Sequence, residues 1–135
     1  MKYSRQRELI REAVERSHQH PTADAVYQEV RKKEPTISLA TVYRNLNQLA
    51  DNKIIRRIAV PGEPEHFDYT MAYHEHMICT HCGCVIDIWP EKPLYEQFEA
   101  LSETGITGYD LILHGLCHAC AEQKNASKGK RAETK

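Results

Sequence analysis

The stretch 38-SLATVYRNLNQLAD-51 decides the fold. A helix starts at Ser38, and in it Leu39, Val42, Tyr43, Leu46, Leu49 and Ala50 form the buried stripe expected of an amphipathic helix. Thr41, Arg44, Asn45 and Gln48 are assigned to the opposite face, a vocabulary that matches major-groove readout: Arg to guanine, Asn or Gln to adenine, Thr to the thymine methyl. Most polar helix faces are merely solvated, so the neighbouring elements must decide. Upstream, Ser4 caps a helix with Leu9, Ile10, Ala13 and Val14 on one face, ending near Ser17. Thr22 caps a second helix with Ala25, Val26 and Val30 facing inward, and Pro35 marks its end. Downstream, Ile54, Arg56, Ile58 and Val60 alternate with Ile55, Arg57 and Ala59, a turn follows at Pro61 to Pro64, and Phe67 and Tyr69 alternate on the return. Three helices and a two-stranded hairpin predict a winged helix-turn-helix DNA-binding domain over residues 1–70, with Arg56 and Arg57 placed to meet phosphates.

The whole chain has 135 residues and a formal net charge of −1, which by itself argues against nucleic acid. The sum hides an asymmetry. Residues 1–70 carry 12 Lys and Arg against 10 Asp and Glu, while residues 71–135 carry 6 against 9. No apolar run approaches the roughly 20 residues of a membrane span, so no membrane partner is expected. The charged opening MKYSRQRELI does not read as a secretory signal, and a cytoplasmic, reducing location is expected, where cysteines serve as ligands rather than disulfides.

All five cysteines and five of the eight histidines lie after residue 70. Cys79 and Cys82, then Cys117 and Cys120, form two C-x-x-C pairs separated by 34 residues. Each pair can offer two thiolates from one tight turn, and four thiolates close a tetrahedral structural Zn2+ site; a redox dithiol is the main competitor. Cys84 reads as a small buried hydrophobe on the strand leaving the first pair. His74 and His76, two apart, share a face if the stretch is extended, with Asp68 upstream and Asp87 downstream on the strand 85-VIDIW-89. Two imidazoles and two carboxylates make a mixed nitrogen and oxygen site that suits iron(II), manganese(II) or zinc. His66 and His81 read as solvated neighbours. Leu94, Phe98 and Leu101 form one helical face, Tyr109, Leu111 and Leu113 alternate as a strand, and the second cysteine pair opens a last helix. So small a sheet is expected to pair with a second copy. Residues 123–135 show no periodicity and are expected to be disordered.

Together 20-HPTAD-24, 38-SLATVYRNL-46, 74-HEHMICTHCG-83 and 117-CHAC-120 resemble the ferric uptake regulator family of bacterial metal-dependent repressors, over about residues 3–122. The resemblance implies an α+β protein: an N-terminal winged-helix domain, a hinge at 71–74, and a C-terminal α/β dimerisation domain at 75–122 with a four-cysteine structural zinc. It implies a homodimer on a palindromic double-stranded DNA operator. It places the regulatory metal, Fe2+ or Mn2+, on His20, Asp68, His74, His76 and Asp87, and zinc on Cys79, Cys82, Cys117 and Cys120. DNA contacts are expected from Ser38, Thr41, Tyr43, Arg44, Asn45, Gln48, Arg56 and Arg57. Peroxide-sensing members typically have Asp at the place of Asp87 and iron-sensing members more often Glu, which favours peroxide sensing. Arg44 favours iron sensing, but it reads operator sequence rather than metal and weighs less. The alternative is a repressor answering to iron, zinc or manganese level. Members with an extra metal site supply a His where this chain has Tyr109, so that site is not carried over. In the peroxide branch, His20 and His74 are the residues oxidised. A metalloenzyme is disfavoured, because five protein ligands leave little room for a substrate.

Overall fold

The computed structural model describes residues 2–133. The chain divides into two compact units, Met1–Ala72 and Tyr73–Lys135.

The first unit is built on three helices, α1 (Arg5–Arg16), α2 (Ala23–Val30) and α3 (Leu39–Asp51), followed by the hairpin strands β1 (Arg56–Ile58) and β2 (His66–Asp68). Each helix begins where a short hydroxyl side chain satisfies an otherwise orphaned N–H. Ser4 accepts from Arg7 N at 3.3 Å, Thr22 from Ala25 N at 3.3 Å and Ser38 from Thr41 N at 3.1 Å, each cap contributing about 1 kcal/mol. Ile10, Val14, Val26, Val42, Leu46 and Leu49 meet in one core, closed from the hairpin side by Ile55 and Phe67. β1 and β2 pair antiparallel with Arg56 opposite Asp68 and Ile58 opposite His66, and Gly62 takes a positive φ of 76° in the turn between them.

The phase of α3 differs from the expected one. Val42, Leu46 and Leu49 define the buried arc, and at about 100° per residue Asn45 lies about 40° beyond its Leu49 edge while Tyr43 lies about 60° beyond its Leu46 edge. Asn45 is accordingly only 6% exposed, and Tyr43, assigned to the buried stripe, is 40% exposed.

The second unit holds a three-stranded sheet of order β4-β3-β5, from β3 (Glu75–Cys79), β4 (Val85–Ile88) and β5 (Leu113–Gly115), with helices α4 (Tyr95–Glu99) and α5 (His118–Glu133). β3 pairs antiparallel with β4 and parallel with β5. A parallel partner needs a long crossover, which the segment containing α4 provides. At Gly115, where β5 meets β3, a Cβ would lie 2.6 Å from Met77 Sδ, so a larger residue there would displace the Met77 side chain. The strand expected from Tyr109 is paired only from Leu113. Leu101, expected on the helical face with Leu94 and Phe98, is exposed because α4 stops at Glu99 and the helical register ends with it. The backbone of the segment expected to be disordered from residue 123 is helical to Glu133. It is rich in Ala, Lys, Glu and Arg, strong helix formers that need no apolar stripe, so hydrophobic periodicity does not detect it. Residues 134–135 lie outside the described residues.

Candidate metal centres and nucleic-acid interface

On α3, Tyr43, Arg44, Asn47 and Gln48 are exposed. Asn45, expected among the base-reading residues, is turned inward, and its amide donates to Thr41 O at 2.8 Å. Ser38 and Thr41 share a 2.8 Å hydroxyl contact at the helix start, so both are occupied with capping. Arg57, expected to meet phosphates, is held by α3 instead. Its guanidinium donates to Asn47 O at 3.1 Å, Asn47 Oδ1 at 3.3 Å and Asp51 Oδ1 at 2.7 Å, which fixes the hairpin against the end of α3. Gln48 accepts from Arg7 at 3.5 Å.

The cysteines converge within the second unit. Cys79 ends β3, Gly83 at a φ of 79° reverses the chain after Cys82, and Cys117 and Cys120 bracket the start of α5. Cys82 N donates to Cys79 Sγ at 3.4 Å and Cys120 N to Cys117 Sγ at 3.5 Å, the N–H to sulfur bonds that a C-x-x-C turn makes. Cys82 Sγ lies 3.8 Å from Cys117 Sγ. Backbone N–H groups, that of Cys117 foremost and then that of Cys82, bring the Cys79 thiol down to about 5. The N–H of Cys120 likewise lowers Cys117, whereas Cys120 is raised because its S–H is donated to Cys117. Cys79 and Cys117 are thus disposed to be thiolates, while desolvation of its thiol raises Cys84, and two C-x-x-C turns that bring sulfurs together are the donor set that fits zinc. Cys84 does not behave as a buried hydrophobe. It is exposed, and its Sγ, with those of Cys79, Cys82 and Cys117, belongs to a group whose members all lie within 4.8 Å of one another.

The nitrogen and oxygen donors form one set in each unit. In the second, β3 is two-faced, as alternation requires. His74 and His76 are buried on one face, and their Nε2 atoms lie 3.2 and 3.3 Å from the same Asp87 Oδ1. His76 and Asp87 are direct partners across β3 and β4. The imidazoles meet edge to face at 4.6 Å, and Trp89 stacks on His74 at 4.6 Å. Two imidazoles aimed at one carboxylate oxygen are the arrangement that a first-row divalent metal would replace with coordinate bonds.

The other face of β3 carries Glu75, which is buried and accepts from Tyr73 Oη at 2.8 Å and Tyr109 Oη at 2.6 Å. Burial first, and then this carboxylate, raise the Tyr109 phenol and keep it a donor. The sequence reading gave Glu75 no role, because its partners come from 2 and 34 residues away.

In the first unit, His20 Nε2 lies 3.6 Å from Asp68 Oδ2, and both residues are buried. His20 adopts a positive φ of 54°, a conformation uncommon for a side-chain-bearing residue though one that His tolerates better than most. Its loop is tied down by β2: His66 Nδ1 meets His20 O at 2.7 Å, and Phe67 N donates to Pro21 O at 2.9 Å. His66 is therefore no mere solvated neighbour. It orients the segment that presents His20.

Residues 1–115 match the family model described as "Ferric uptake regulator family". The chain is 34% identical over 122 residues to the peroxide-responsive repressor PerR of Staphylococcus epidermidis, covering 89% of this chain and 81% of that protein. It is also 34% identical over 131 residues to the ferric uptake regulation protein of Campylobacter jejuni, covering 92% and 82%. Among solved structures, the Campylobacter jejuni peroxide stress regulator superposes with a TM-score of 0.69 at 33% identity, covering 85% of this chain and 88% of that one. A family match across most of the sequence, with a third of the residues shared with two curated members, means that this chain belongs to the ferric uptake regulator family.

Proposed function

We propose that this chain is a metal-dependent, DNA-binding transcriptional repressor that responds to peroxide. It is a regulator rather than an enzyme. It acts as a homodimer on a palindromic double-stranded operator in the cytoplasm, with a structural Zn2+ held by Cys79, Cys82, Cys117 and Cys120. A regulatory Fe2+ or Mn2+ takes its donors from His20 and Asp68 in the first unit and His74, His76 and Asp87 in the second. The observation that carries the reading is the pair of buried imidazoles, His74 and His76, aimed at one oxygen of Asp87. Because each unit holds only part of the donor set, an ion that needs all five favours the arrangement in which both parts reach it. Metal thus shifts the population toward the operator-binding form.

Iron(II) held by these residues would supply the redox chemistry that cleaves the O–O bond of peroxide, with a ligand imidazole as the net two-electron donor. In net terms one oxygen atom enters a ligand imidazole at carbon and the other leaves as water, so that ligand no longer binds as before and the operator is released. Mass spectrometry of iron-loaded protein after peroxide is expected to find one added oxygen on His20 and on His74, with operator binding lost in step. Manganese-loaded protein is expected to stay unmodified and bound. Unmodified histidines with retained operator binding would select the metal-level repressor instead.

The geometry of α3 separates reading from folding. Arg44→Ala is expected to weaken operator binding about ten- to hundred-fold, the 1–3 kcal/mol of a bidentate base contact, with an unchanged melting temperature. Asn45→Ala is expected to do the reverse, lowering stability by about 1 kcal/mol through the lost bond to Thr41 O, with little change in base preference. Operator titrations at fixed salt, paired with thermal melts, check both.

A further inference from the structure

We propose that Cys84 is an alternative zinc ligand, able to take the place of Cys120 beside Cys79, Cys82 and Cys117. The proposal rests on the zinc reading above and adds a fifth thiol to it.

The backbone directs Cys84 to the cluster. Ile78 pairs with Val85 in the β3 and β4 register, so the next residues outward, Cys79 and Cys84, stand opposite each other. Cys79 N donates to Cys84 O at 2.9 Å, which extends the ladder by one step. Opposed residues of an antiparallel pair project to the same face, so Cys84 shares its face with Cys79 whatever rotamer it adopts. The turn at Gly83, with its positive φ, leaves a single residue between Cys82 and Cys84. The result is the group of four sulfurs, Cys79, Cys82, Cys84 and Cys117, mutually within 4.8 Å.

Tetrahedral zinc takes four ligands, and five thiols compete. Two complete sets follow. In one, the hairpin offers two sulfurs and the start of α5 offers two. In the other, the hairpin offers three and only Cys117 comes from the α5 side. The second set releases Cys120 without releasing the metal, so one thiol is always spare and its identity alternates.

The test uses full-length, zinc-loaded protein. Cys120→Ser is expected to keep one zinc per chain against a chelator, and after cobalt(II) substitution to keep the sulfur-to-metal charge-transfer intensity of four thiolates. The paired change Cys84→Ser with Cys120→Ser is expected to lose the metal. In the unaltered protein, a limiting thiol reagent is expected to label Cys84 in some molecules and Cys120 in others, a readout that does not depend on any variant folding. Zinc loss in Cys120→Ser alone, a three-sulfur cobalt spectrum, or label confined to Cys84 would each overturn the proposal. Zinc retained by the paired Cys79→Ser and Cys117→Ser change would overturn the zinc reading itself, which keeps the two failures distinct.

Discussion

Removing the zinc is expected to unfold the second unit while leaving the three-helix unit standing. The two units bury very different amounts of apolar side chain. The first gathers Ile10, Val14, Val26, Val30, Ile37, Val42, Leu46, Leu49, Ile55 and Phe67 into one cluster. Among its described residues the second has only Ile78, Cys79 and Val85 buried and apolar. So small a core does not offset the conformational entropy of ordering the sheet, and a structural zinc can supply on the order of 10–16 kcal/mol. The paired change Cys79→Ser and Cys117→Ser leaves three thiols, one too few to close a tetrahedral site. Chelation should therefore act like the paired variant. Trp89, the only tryptophan, stacks on His74 in the second unit, so its emission reports on that unit alone. The expected result is a changed Trp89 emission intensity, as the half-exposed indole loses its stacking on His74, with the helical signal of the first unit preserved. Unchanged emission and an unchanged melting profile after complete zinc removal would mean that the metal does not hold this unit together.

The second large effect is expected from Asp87→Asn. One oxygen of Asp87 faces both Nε2 atoms, so the substitution removes an anionic donor and also the group that orients His74 and His76. Altering an outer-shell partner of a metal ligand typically lowers metal affinity 10–100-fold, and here the same residue is also a proposed ligand. We therefore expect a loss of about 100-fold or more in affinity for manganese(II), and an operator affinity that no longer rises when the metal is added. The zinc content should stay that of the unaltered protein, because Asp87 lies outside the thiol cluster. Isothermal titration with manganese(II) and operator binding with and without it provide the two readouts. If the metal response survives intact, the assignment of Asp87 is wrong.

What the sequence disclosed and what it concealed divide along the distance between partners. Ser4 and Thr22 were readable as caps, and Ser38 as a helix start, because each bonds an N–H three residues away. His74 and His76 were readable as a pair because strand alternation is a local rule, and the C-x-x-C spacings likewise carry their own geometry. Asn45 was misplaced by a phase error: the apolar stripe of α3 centres on Val42, Leu46 and Leu49, and a stripe drawn to include Tyr43 rotates the predicted outer face toward Asn45. The duty of Arg57 depends on Asn47 and Asp51 reaching it from another element. His66 serves a carbonyl 46 residues earlier, and Cys84 joins the sulfurs through a hairpin register that no spacing rule announces. The family resemblance supplied His20, which nothing in its immediate surroundings marks as a ligand.

The two-sidedness of β3 has a consequence for how metal enters. Glu75, clamped by two phenols on the reverse side, fixes the strand without any help from an ion. The imidazoles on the obverse are thus pre-organised, and little rotamer or backbone entropy remains to be lost when a cation arrives. A site poised in this way should load quickly and report metal availability promptly, while an empty one stays ready to refill rather than collapsing.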